Sequence, residues 1–517
     1  MAFRTLLAAI LAATALQAVT VDVQNRYGAI HVVVADQTQI TVEARRGEEK
    51  RPLTEASISR RMDRILVRAT PQDGGPLDLH LTLPIGFRLE AETESGALTV
   101  VGMLPAARLG TETGDIRLSI PWSVARITLD ADVKPPNLVL PKGQKFLQST
   151  IDISGGRTLW RLRDTLPELA IVYGSYQVRT RRPQTIELTE FVRPPDWPIQ
   201  FHSEAPALLE RMLNGEGPPT PSAPPGANPE IGGSDALFRS DVRMVNMMVS
   251  VTDNEGRPVT GLTGADFSVR ENGDAQRVEF AGSEATPFNL AILLDLSGSA
   301  RQDREHLRTA AEAFIRLAGD NDRVAIYALA NGLFHVVSPL SNDHEKQLAE
   351  TKRLPEISGA SPLYDAITLA YARELWNRPG ERNALIVVSD GLDNQVSKQE
   401  APSSVKFSKL VKAAEEMNAL IYPVFLRSAE RFNPKFATKA RENMEKLAEA
   451  SGGRLFPALS VEDLAPVFPE IEAELRSVYG LAYYPKNQDF DGKWRKVEIK
   501  VDKSRVNVRA RPGYYAR

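Results

Sequence analysis

The sequence predicts a multidomain protein in which an all-β region precedes a doubly wound α/β domain. Its 517 residues are too many for a single hydrophobic core. Residues 19–189 consist of short runs that alternate apolar and polar side chains, which is the pattern of β-strands. From residue 289 onward, continuous apolar strands alternate with amphipathic helices, which indicates a parallel sheet covered on both faces.

The composition excludes several classes of protein. A hydrophobic content of 42% and a charged content of 25% are ordinary for a folded chain. The net charge of -3 and the scattered basic residues argue against a nucleic-acid partner. The chain has no cysteine, which excludes disulfide scaffolds, thiolate zinc sites and cysteine nucleophiles.

Residues 1–18 have the organisation of a secretory signal peptide. One cation, Arg4, precedes an apolar run over 6–16, and the small residue Ala18 follows it. No later stretch approaches the roughly 20 apolar residues that a membrane-spanning helix needs. We therefore expect an exported protein without a transmembrane anchor after signal cleavage, located in the periplasm, the outer envelope or the medium of a bacterium.

A short phrase recurs within the β-rich region, residues 19–190. The phrase has six residues, with glycine at the second position and apolar residues at the fourth and sixth. It occurs at 27–32, 95–100 and 113–118, with a looser copy at 173–178. Repetition of such a unit stacks short strands. The phrase resembles the adhesin-like domains of bacterial envelope proteins, and this resemblance implies a β-solenoid. A plain β-sandwich remains the alternative.

The remainder of the chain divides by composition. Residues 191–235 are rich in proline and predict a linker, interrupted by a short helix near 205–213. Residues 236–286 predict a small β-module, and residues 478–517 predict strands that could pair with it. Between them, residues 287–477 form the α/β domain, with strands at 290–294, 324–329, 385–388 and 421–426 and helices at 304–317, 362–376, 405–417 and 435–450.

Carboxylates and hydroxyls gather where the strands of this α/β domain end. Asp295, Ser297 and Ser299 follow the first strand, Ser361 lies in a loop that opens a helix, and Asp390 follows a later buried strand. Ligands of open α/β sheets bind beyond the carboxyl ends of the strands. Hard oxygen ligands suit Mg²⁺, with Mn²⁺ and Ca²⁺ as alternatives. The sequence thus predicts a divalent cation at this edge.

These residues carry a family resemblance. Residues 295–299 match the Asp-x-Ser-x-Ser motif of the von Willebrand factor type A family, and residues 389–391 match its later Asp-Gly motif. The resemblance extends over about 287–473, and the phrases at 259–267 and 511–515 are similar to a secreted bacterial subgroup of that family.

The resemblance implies a metal-ion-dependent adhesion site (MIDAS). It assigns direct metal ligation to Ser297 and Ser299, and direct or water-mediated ligation to Asp295 and Asp390. Ser361 stands where the family usually has threonine, so the hydroxyl is kept. The ion would complete its shell with an acidic side chain of a protein partner.

Metal-dependent protein recognition without catalysis is therefore the expected function. Each motif alone also has a structural explanation, because Ser299 could cap a helix and Asp390-Gly391 could form a turn. One alternative is a structural envelope protein whose β-rich half does the binding. A hydrolase is the other, but the six histidines form no His-Glu-x-x-His motif, and the chain has no Gly-x-Ser-x-Gly elbow.

Overall fold

The computed structural model describes residues 19–37, 39–47, 49–51, 56–61, 64–71, 74–122, 125–142, 144–153, 157–165, 174–194, 197–218, 244–282, 287–296, 304–330, 333–355, 361–397, 403–426, 434–458, 464–489 and 491–517. The predicted signal peptide lies outside these residues. The chain divides into two compact units, Met1–Pro198 and Ile199–Arg517. Among the described residues, no helix is long and apolar enough to cross a membrane.

The first unit is built from strands, as the alternating runs predict. They are β1 (Thr20–Asn25), β2 (Ile30–Ala35), β3 (Thr41–Arg46), β4 (Glu49–Arg51), β5 (Ala56–Arg61), β6 (Arg64–Ala69), β7 (Asp78–Pro84), β8 (Arg88–Thr93), β9 (Leu98–Val101), β10 (Ala106–Thr111), β11 (Ile116–Ile120), β12 (Ala125–Ala131), β13 (Asn137–Val139), β14 (Phe146–Ile153), β15 (Arg157–Asp164), β16 (Gly174–Thr180) and β17 (Thr185–Glu190).

Consecutive strands form two-strand rungs that contribute one strand to each of two sheets. Along the stack the rungs follow the order β6–β7, β1–β2, β8–β9, β10–β11, β16–β17 and β12–β13. Neighbouring rungs pair in parallel, for example β1 with β8 and β2 with β9. Parallel pairing between successive rungs distinguishes this stack from a sandwich built from hairpins, whose strands pair antiparallel.

The recurring glycines lie in a column at one corner of this stack. A Cβ on Gly96 would lie 1.7 Å from the carbonyl oxygen of Gly28, and a Cβ on Gly114 would lie 1.8 Å from that of Gly96. These positions therefore require glycine because backbones of adjacent rungs approach so closely. Thr93 and Thr111 reinforce the corner by donating hydrogen bonds to the same two carbonyls, over 3.1 and 3.3 Å. The looser copy differs, because Gly174 begins β16 instead of forming a corner.

The second unit contains strands and helices in alternation. Its strands are β18 (Ile199–Gln200), β19 (Val245–Asp253), β20 (Phe267–Glu271), β21 (Asp274–Gln276), β22 (Val278–Gly282), β23 (Phe288–Asp295), β24 (Arg323–Ala330), β25 (Leu333–Ser341), β26 (Arg382–Ser389), β27 (Leu420–Leu426), β28 (Phe456–Ala458), β29 (Tyr479–Tyr483), β30 (Trp494–Val501), β31 (Val506–Arg509) and β32 (Gly513–Tyr515). Its α-helices are α1 (Ala205–Leu213), α2 (Arg304–Leu317), α3 (His344–Glu350), α4 (Leu363–Ala370), α5 (Asn394–Ser397), α6 (Phe407–Ala414), α7 (Pro434–Ser451) and α8 (Leu464–Ser477), and a π-helical turn, Tyr371–Leu375, continues α4.

A seven-stranded sheet forms the centre of the second unit, in the order β18-β25-β24-β23-β26-β27-β28. Strand β23 is buried along its whole length and pairs in parallel with β24 and β26. One apolar cluster packs α2 and α8 on one face, and another packs α1, α4, α6 and α7 on the other. The prediction of a doubly wound α/β domain is confirmed.

The proline-rich stretch is not all linker. Strand β18 pairs antiparallel with β25, and Ala205, Leu209 and Met212 of α1 lie in the apolar cluster beside α4. The predicted linker 191–235 therefore contains part of the α/β unit over 199–213. The helix expected near 205–213 corresponds to α1, which tolerates a proline in its first turn, whereas β18 was not expected from the sequence.

The small β-module is assembled from both flanks of the α/β domain. Strand β19 pairs with β29 and β31, and β20 pairs with β30, all antiparallel. Glu474 of α8 connects the module to the domain from a position that is 1% exposed. Its carboxylate accepts hydrogen bonds from Arg454 at 2.8 Å, Arg509 at 2.7 Å and Ser250 at 3.2 Å. The module is thereby fixed to the last helix of the α/β domain.

Candidate functional site

The centre of the predicted site is Asp295, the last residue of β23. Parallel pairing places Leu294 opposite Val388 of β26, so Asp295 lies beside Ser389 at the carboxyl edge of the sheet. A buried strand can end in a buried carboxylate only if polar partners surround that carboxylate. The side chain of Asp295 is 2% exposed and has such partners.

Two hydroxyls from distant segments converge on one oxygen of Asp295. Ser389 donates a hydrogen bond to its Oδ2 over 2.7 Å, and Ser361 donates to the same atom over 3.2 Å. Both serines are buried. The structure therefore brings together two of the predicted site residues, Asp295 and Ser361, through a direct contact.

Asp390 follows directly on β26, so its place at the same edge is fixed by the strand. Its Oδ1 accepts a hydrogen bond from the backbone N–H of Leu392 over 3.1 Å, and its side chain is buried. Gly391 has a φ of +69°, which favours glycine in this turn. The N–H of Gly391 also donates to Ser389 over 2.8 Å. The turn interpretation and a ligand role for Asp390 are thus compatible.

Ser297 and Ser299 lie outside the described residues. The described part of the site therefore consists of Asp295, Ser361, Ser389 and the start of the loop at Asp390. In the described ranges, no group of three or more histidine, cysteine, aspartate or glutamate side chains is arranged to hold a metal. A cation at this edge would depend on hydroxyl donors in addition to carboxylates.

A second polar cluster lies beside the site and joins its segments. One oxygen of Asp393 accepts hydrogen bonds from the N–H of Tyr364 over 3.2 Å and from the hydroxyl of Ser403 over 2.5 Å. Ser403 in turn accepts from the N–H groups of Tyr364 and Asp365 over 3.0 and 3.2 Å. We call Asp393, Ser403 and the first turn of α4 the clasp. It ties the loop after Asp390 to the helix that begins just after Ser361.

Burial raises the pKa of two carboxylates in the clasp, Asp365 and Asp393. Burial is the main reason that the pKa of Asp365 is raised to about 7, and the charge of the nearby Asp393 raises this pKa further. Hydrogen bonds from the N–H groups of Ser404 and Val405 act in the opposite direction and lower it. Burial also raises the pKa of Asp393, which the hydrogen bond from Ser403 opposes. Backbone N–H groups thus stabilise the ionised form of a carboxylate, whereas burial disfavours that form.

Sequence reasoning places Asp393 near the same rim, but it assigns neither Asp393 nor Ser389 nor Ser403 to the site. Ser389 was visible as the residue before Asp390, and the pairing of two parallel strands places it beside Asp295. Asp393 can be explained as a turn residue, and the hydrogen bond from its N–H to the carbonyl oxygen of Gly391 over 3.0 Å fits that explanation. Ser403 is separated from its partners along the chain, so no local pattern could have found it.

The chemistry of the described donors fits a hard cation. Asp295 and Asp390 supply carboxylate oxygens, and Ser361 supplies a hydroxyl oxygen. Histidine and cysteine donors, which zinc and copper prefer, do not appear among the described residues that contact Asp295. The arrangement suits Mg²⁺, Mn²⁺ or Ca²⁺ better than a softer metal.

A comparison with protein families agrees with this description of the α/β domain. The family model for the von Willebrand factor type A domain matches residues 290–392. The pilus adhesin SpaC from Lactobacillus rhamnosus GG is similar at 10% identity and a TM-score of 0.32, over 50% of this chain and 48% of that one. This chain thus spans about half the length of SpaC. No curated protein sequence gives a significant match.

Two further solved structures are similar over part of the chain. A von Willebrand factor type A protein from Catenulispora acidiphila shares 14% identity at a TM-score of 0.31, over 54% of this chain and 76% of that one. Proximal thread matrix protein 1 from the mussel byssus, with a zinc-occupied MIDAS motif, shares 13% identity at a TM-score of 0.30, over 40% and 49%. Residues 290–392, which include Asp295, Ser361 and Asp390, thus match the von Willebrand factor type A domain family.

Proposed function

We propose that this chain is an exported protein that binds a protein partner through a divalent cation held by its von Willebrand factor type A domain. The ion, most simply Mg²⁺, would be held by Asp295, Ser297, Ser299, Ser361 and Asp390. An acidic side chain of the partner would complete the coordination shell. The chain itself would perform no catalysis.

The convergence of hydroxyls on Asp295 is the observation that carries this proposal. Ser361 lies 66 residues after Asp295, yet its hydroxyl is 3.2 Å from the carboxylate. A helix cap or a tight turn, the structural explanations of the single motifs, involves residues close together in sequence. A contact across this separation favours one shared site at the end of β23.

The residues at this edge could hold a cation without fully neutralising it. Two carboxylates would balance a double charge only if both coordinated directly, and the hydroxyls add no charge. A cation whose charge is partly exposed attracts a further carboxylate. That attraction supplies a physical reason for an acidic partner.

The contacts of the serines support binding over catalysis. The hydroxyls of Ser361 and Ser389 both donate to a carboxylate, and no described histidine accepts a hydrogen bond from either. A serine nucleophile needs a base that accepts its proton, usually a histidine.

The test is isothermal titration of Mg²⁺, Mn²⁺ and Ca²⁺ into the full chain and into its Asp295→Ala variant. We expect saturable binding of at least one ion to the parent and none to the variant. Asp320→Ala is the matched control, because Asp320 is an exposed aspartate of the same domain in the turn before β24, at the opposite edge of the sheet. Equal binding by all three proteins would refute the proposed site.

The partner's contribution is tested separately. When the full chain is immobilised on a resin and loaded with metal, it should retain peptides that contain an exposed aspartate or glutamate. The corresponding asparagine or glutamine peptides should not be retained. Retention that survives a chelator would contradict a metal-dependent interaction.

A further inference from the structure

A cavity of about 280 Å³ lies between the β-module and the α/β domain, away from Asp295. Its buried floor includes Val245 and Ala516, and its exposed rim includes Asn487, Gln488 and Asp489. Asn418 of the α/β domain closes another side. The cavity is thus lined by both parts of the second unit, and nothing in the proposed adhesion site uses it.

Arg511 lines this cavity with a guanidinium that no carboxylate neutralises directly. Its hydrogen bonds go to the carbonyl oxygens of Asn246 and Glu416, over 2.9 and 3.5 Å, and to the sulfur of Met247 over 3.3 Å. In the described part of the chain, no carboxylate oxygen lies within 4 Å of it, although Glu416, which pairs with Arg517 at 3.3 Å, is near enough to attract its charge. A guanidinium has five N–H donors, so Arg511 has donors beyond these three contacts.

Arg511 is half-buried, and a charge that is partly removed from water favours a partner of opposite charge, so this arrangement needs an explanation. Burial lowers the pKa of Arg511, but arginine remains protonated. Folding alone gains little from a cation with only neutral acceptors. A bound anion would supply the missing charge.

The other lining residues specify the kind of anion. Tyr514 and Tyr515 contribute aromatic surface, and Asn246 and Asn418 contribute polar groups. The hydroxyl of Tyr514 is occupied by a hydrogen bond to Glu271 over 2.9 Å, so its ring is the part left to contact a ligand. We propose that this cavity binds a small organic acid whose carboxylate pairs with Arg511 and whose apolar part packs against the ring of Tyr514.

The size of the cavity favours a small molecule over a peptide. Pockets for drug-sized ligands occupy roughly 300–1,000 Å³, and this one lies at the lower limit. Planar, paired oxygens match the fork of a guanidinium, so a carboxylate is favoured over a halide or another spherical anion.

The probe is benzoate, with neutral benzamide of nearly the same shape as its control. Both are titrated into the full chain with EDTA present, so that no carboxylate binds through a metal at Asp295. Ligand-observed saturation-transfer NMR should show saturable binding of benzoate, and benzamide should bind at least about tenfold more weakly, the factor expected for one charge-assisted hydrogen bond. Equal binding of the two probes, or no binding of benzoate, would overturn the proposal.

Three variants locate the binding. Arg511→Gln removes the charge and should abolish the preference for benzoate. Asp489→Asn removes a rim carboxylate that repels the probe and should strengthen benzoate binding. Met244→Trp places a larger side chain at the exposed rim of the cavity, narrows the cavity and should weaken benzoate binding. Because Asp489 and Met244 are exposed, these two variants test the site even if Arg511→Gln does not fold. Benzoate binding unchanged in both would place the probe elsewhere and reject the cavity.

Discussion

The hydroxyl of Ser389 donates a hydrogen bond to Oδ2 of Asp295 over 2.7 Å, and its oxygen accepts the N–H of Gly391 over 2.8 Å. One serine thus connects the carboxylate that ends β23 to the turn that carries Asp390. Residues that orient a metal ligand contribute to affinity without touching the metal. Ser389 has the position for this role.

Replacement of Ser389 by alanine should weaken binding of Mg²⁺ by about ten- to a hundredfold, the usual cost of losing an orienting partner of a metal ligand. Titration calorimetry on the full chain measures this change. Ser338→Ala is the matched control, because Ser338 is equally buried in β25 and contacts none of the site residues in the described structure. An unchanged affinity in Ser389→Ala would remove Ser389 from the site.

The clasp should contribute to the stability of the α/β domain. In Asp393→Asn, an amide nitrogen replaces one of the two acceptor oxygens, so the side chain loses either the bonds from Tyr364 and Ser403 to Oδ2 or the bond from the N–H of Gln395 to Oδ1. We expect the free energy of unfolding to fall by about 1–3 kcal/mol, the cost of leaving buried donors unpaired. Urea denaturation followed by circular dichroism provides the measurement.

Asp343→Asn is the control for this variant. Asp343 is exposed and caps α3 by accepting the N–H of Lys346, a function that asparagine performs about as well. A loss of stability in Asp343→Asn as large as in Asp393→Asn would show that the clasp contributes nothing specific.

Asp365 should make stability depend on pH. Burial raises the pKa of its carboxyl from an ordinary value of 3.8 to about 7, so the folded state holds this proton more tightly than the unfolded state does. Stability from this group is therefore complete below about pH 4 and decreases as pH rises toward about 7. Wild-type protein should lose stability relative to Asp365→Asn across this interval.

Urea midpoints of both proteins at several pH values between about 4 and 8 test this expectation. The difference between the two removes the contributions of other groups, such as Glu416, whose pKa burial also raises to about 7. A difference that is constant across the interval would show that Asp365 is ionised throughout.

The glycine column predicts a sharp contrast between two nearby substitutions. Gly114→Ala would place a Cβ 1.8 Å from the carbonyl oxygen of Gly96, so adjacent rungs would have to separate. Gly110→Ala meets its nearest atom, in the flexible side chain of Glu92, at 3.4 Å. Thermal unfolding should show a large decrease in melting temperature for Gly114→Ala and a small change for Gly110→Ala. Comparable losses would mean that the corner adjusts to a side chain.

The elements that the sequence predicts best are those whose signals are local. The amphipathic spacing predicts a helix over 304–317, and α2 occupies Arg304–Leu317. Strand β23 has a continuous apolar run over 290–294 and is evident for the same reason. By contrast, α8 contains Pro469 within its length, so the usual helix rule argues against it. Strand β28 has three residues, one of them proline, and gives almost no pattern.

The site shows the same division between local and distant information. Asp295 and Asp390 could be predicted because each directly follows an apolar strand, and the carboxyl ends of parallel strands share one edge. The contact of Ser403 with Asp393 depends on how a loop returns to the sheet, which no spacing reveals. The glycine repeat is visible as a phrase, but its cause, the approach of one backbone to another, becomes clear only from the stacked rungs.

The order of the rungs has a consequence for how the first unit can be made. Rung β16–β17 lies between β10–β11 and β12–β13, although it is synthesised after both. A chain emerging from its amino terminus therefore cannot complete this unit by adding one layer at a time. The β12–β13 layer has to wait, without its parallel neighbour, until residues 174–190 have emerged and filled the gap. Assembly of this region is therefore delayed until the last strands of the first unit have been synthesised, and its long-range closures are expected to be slow.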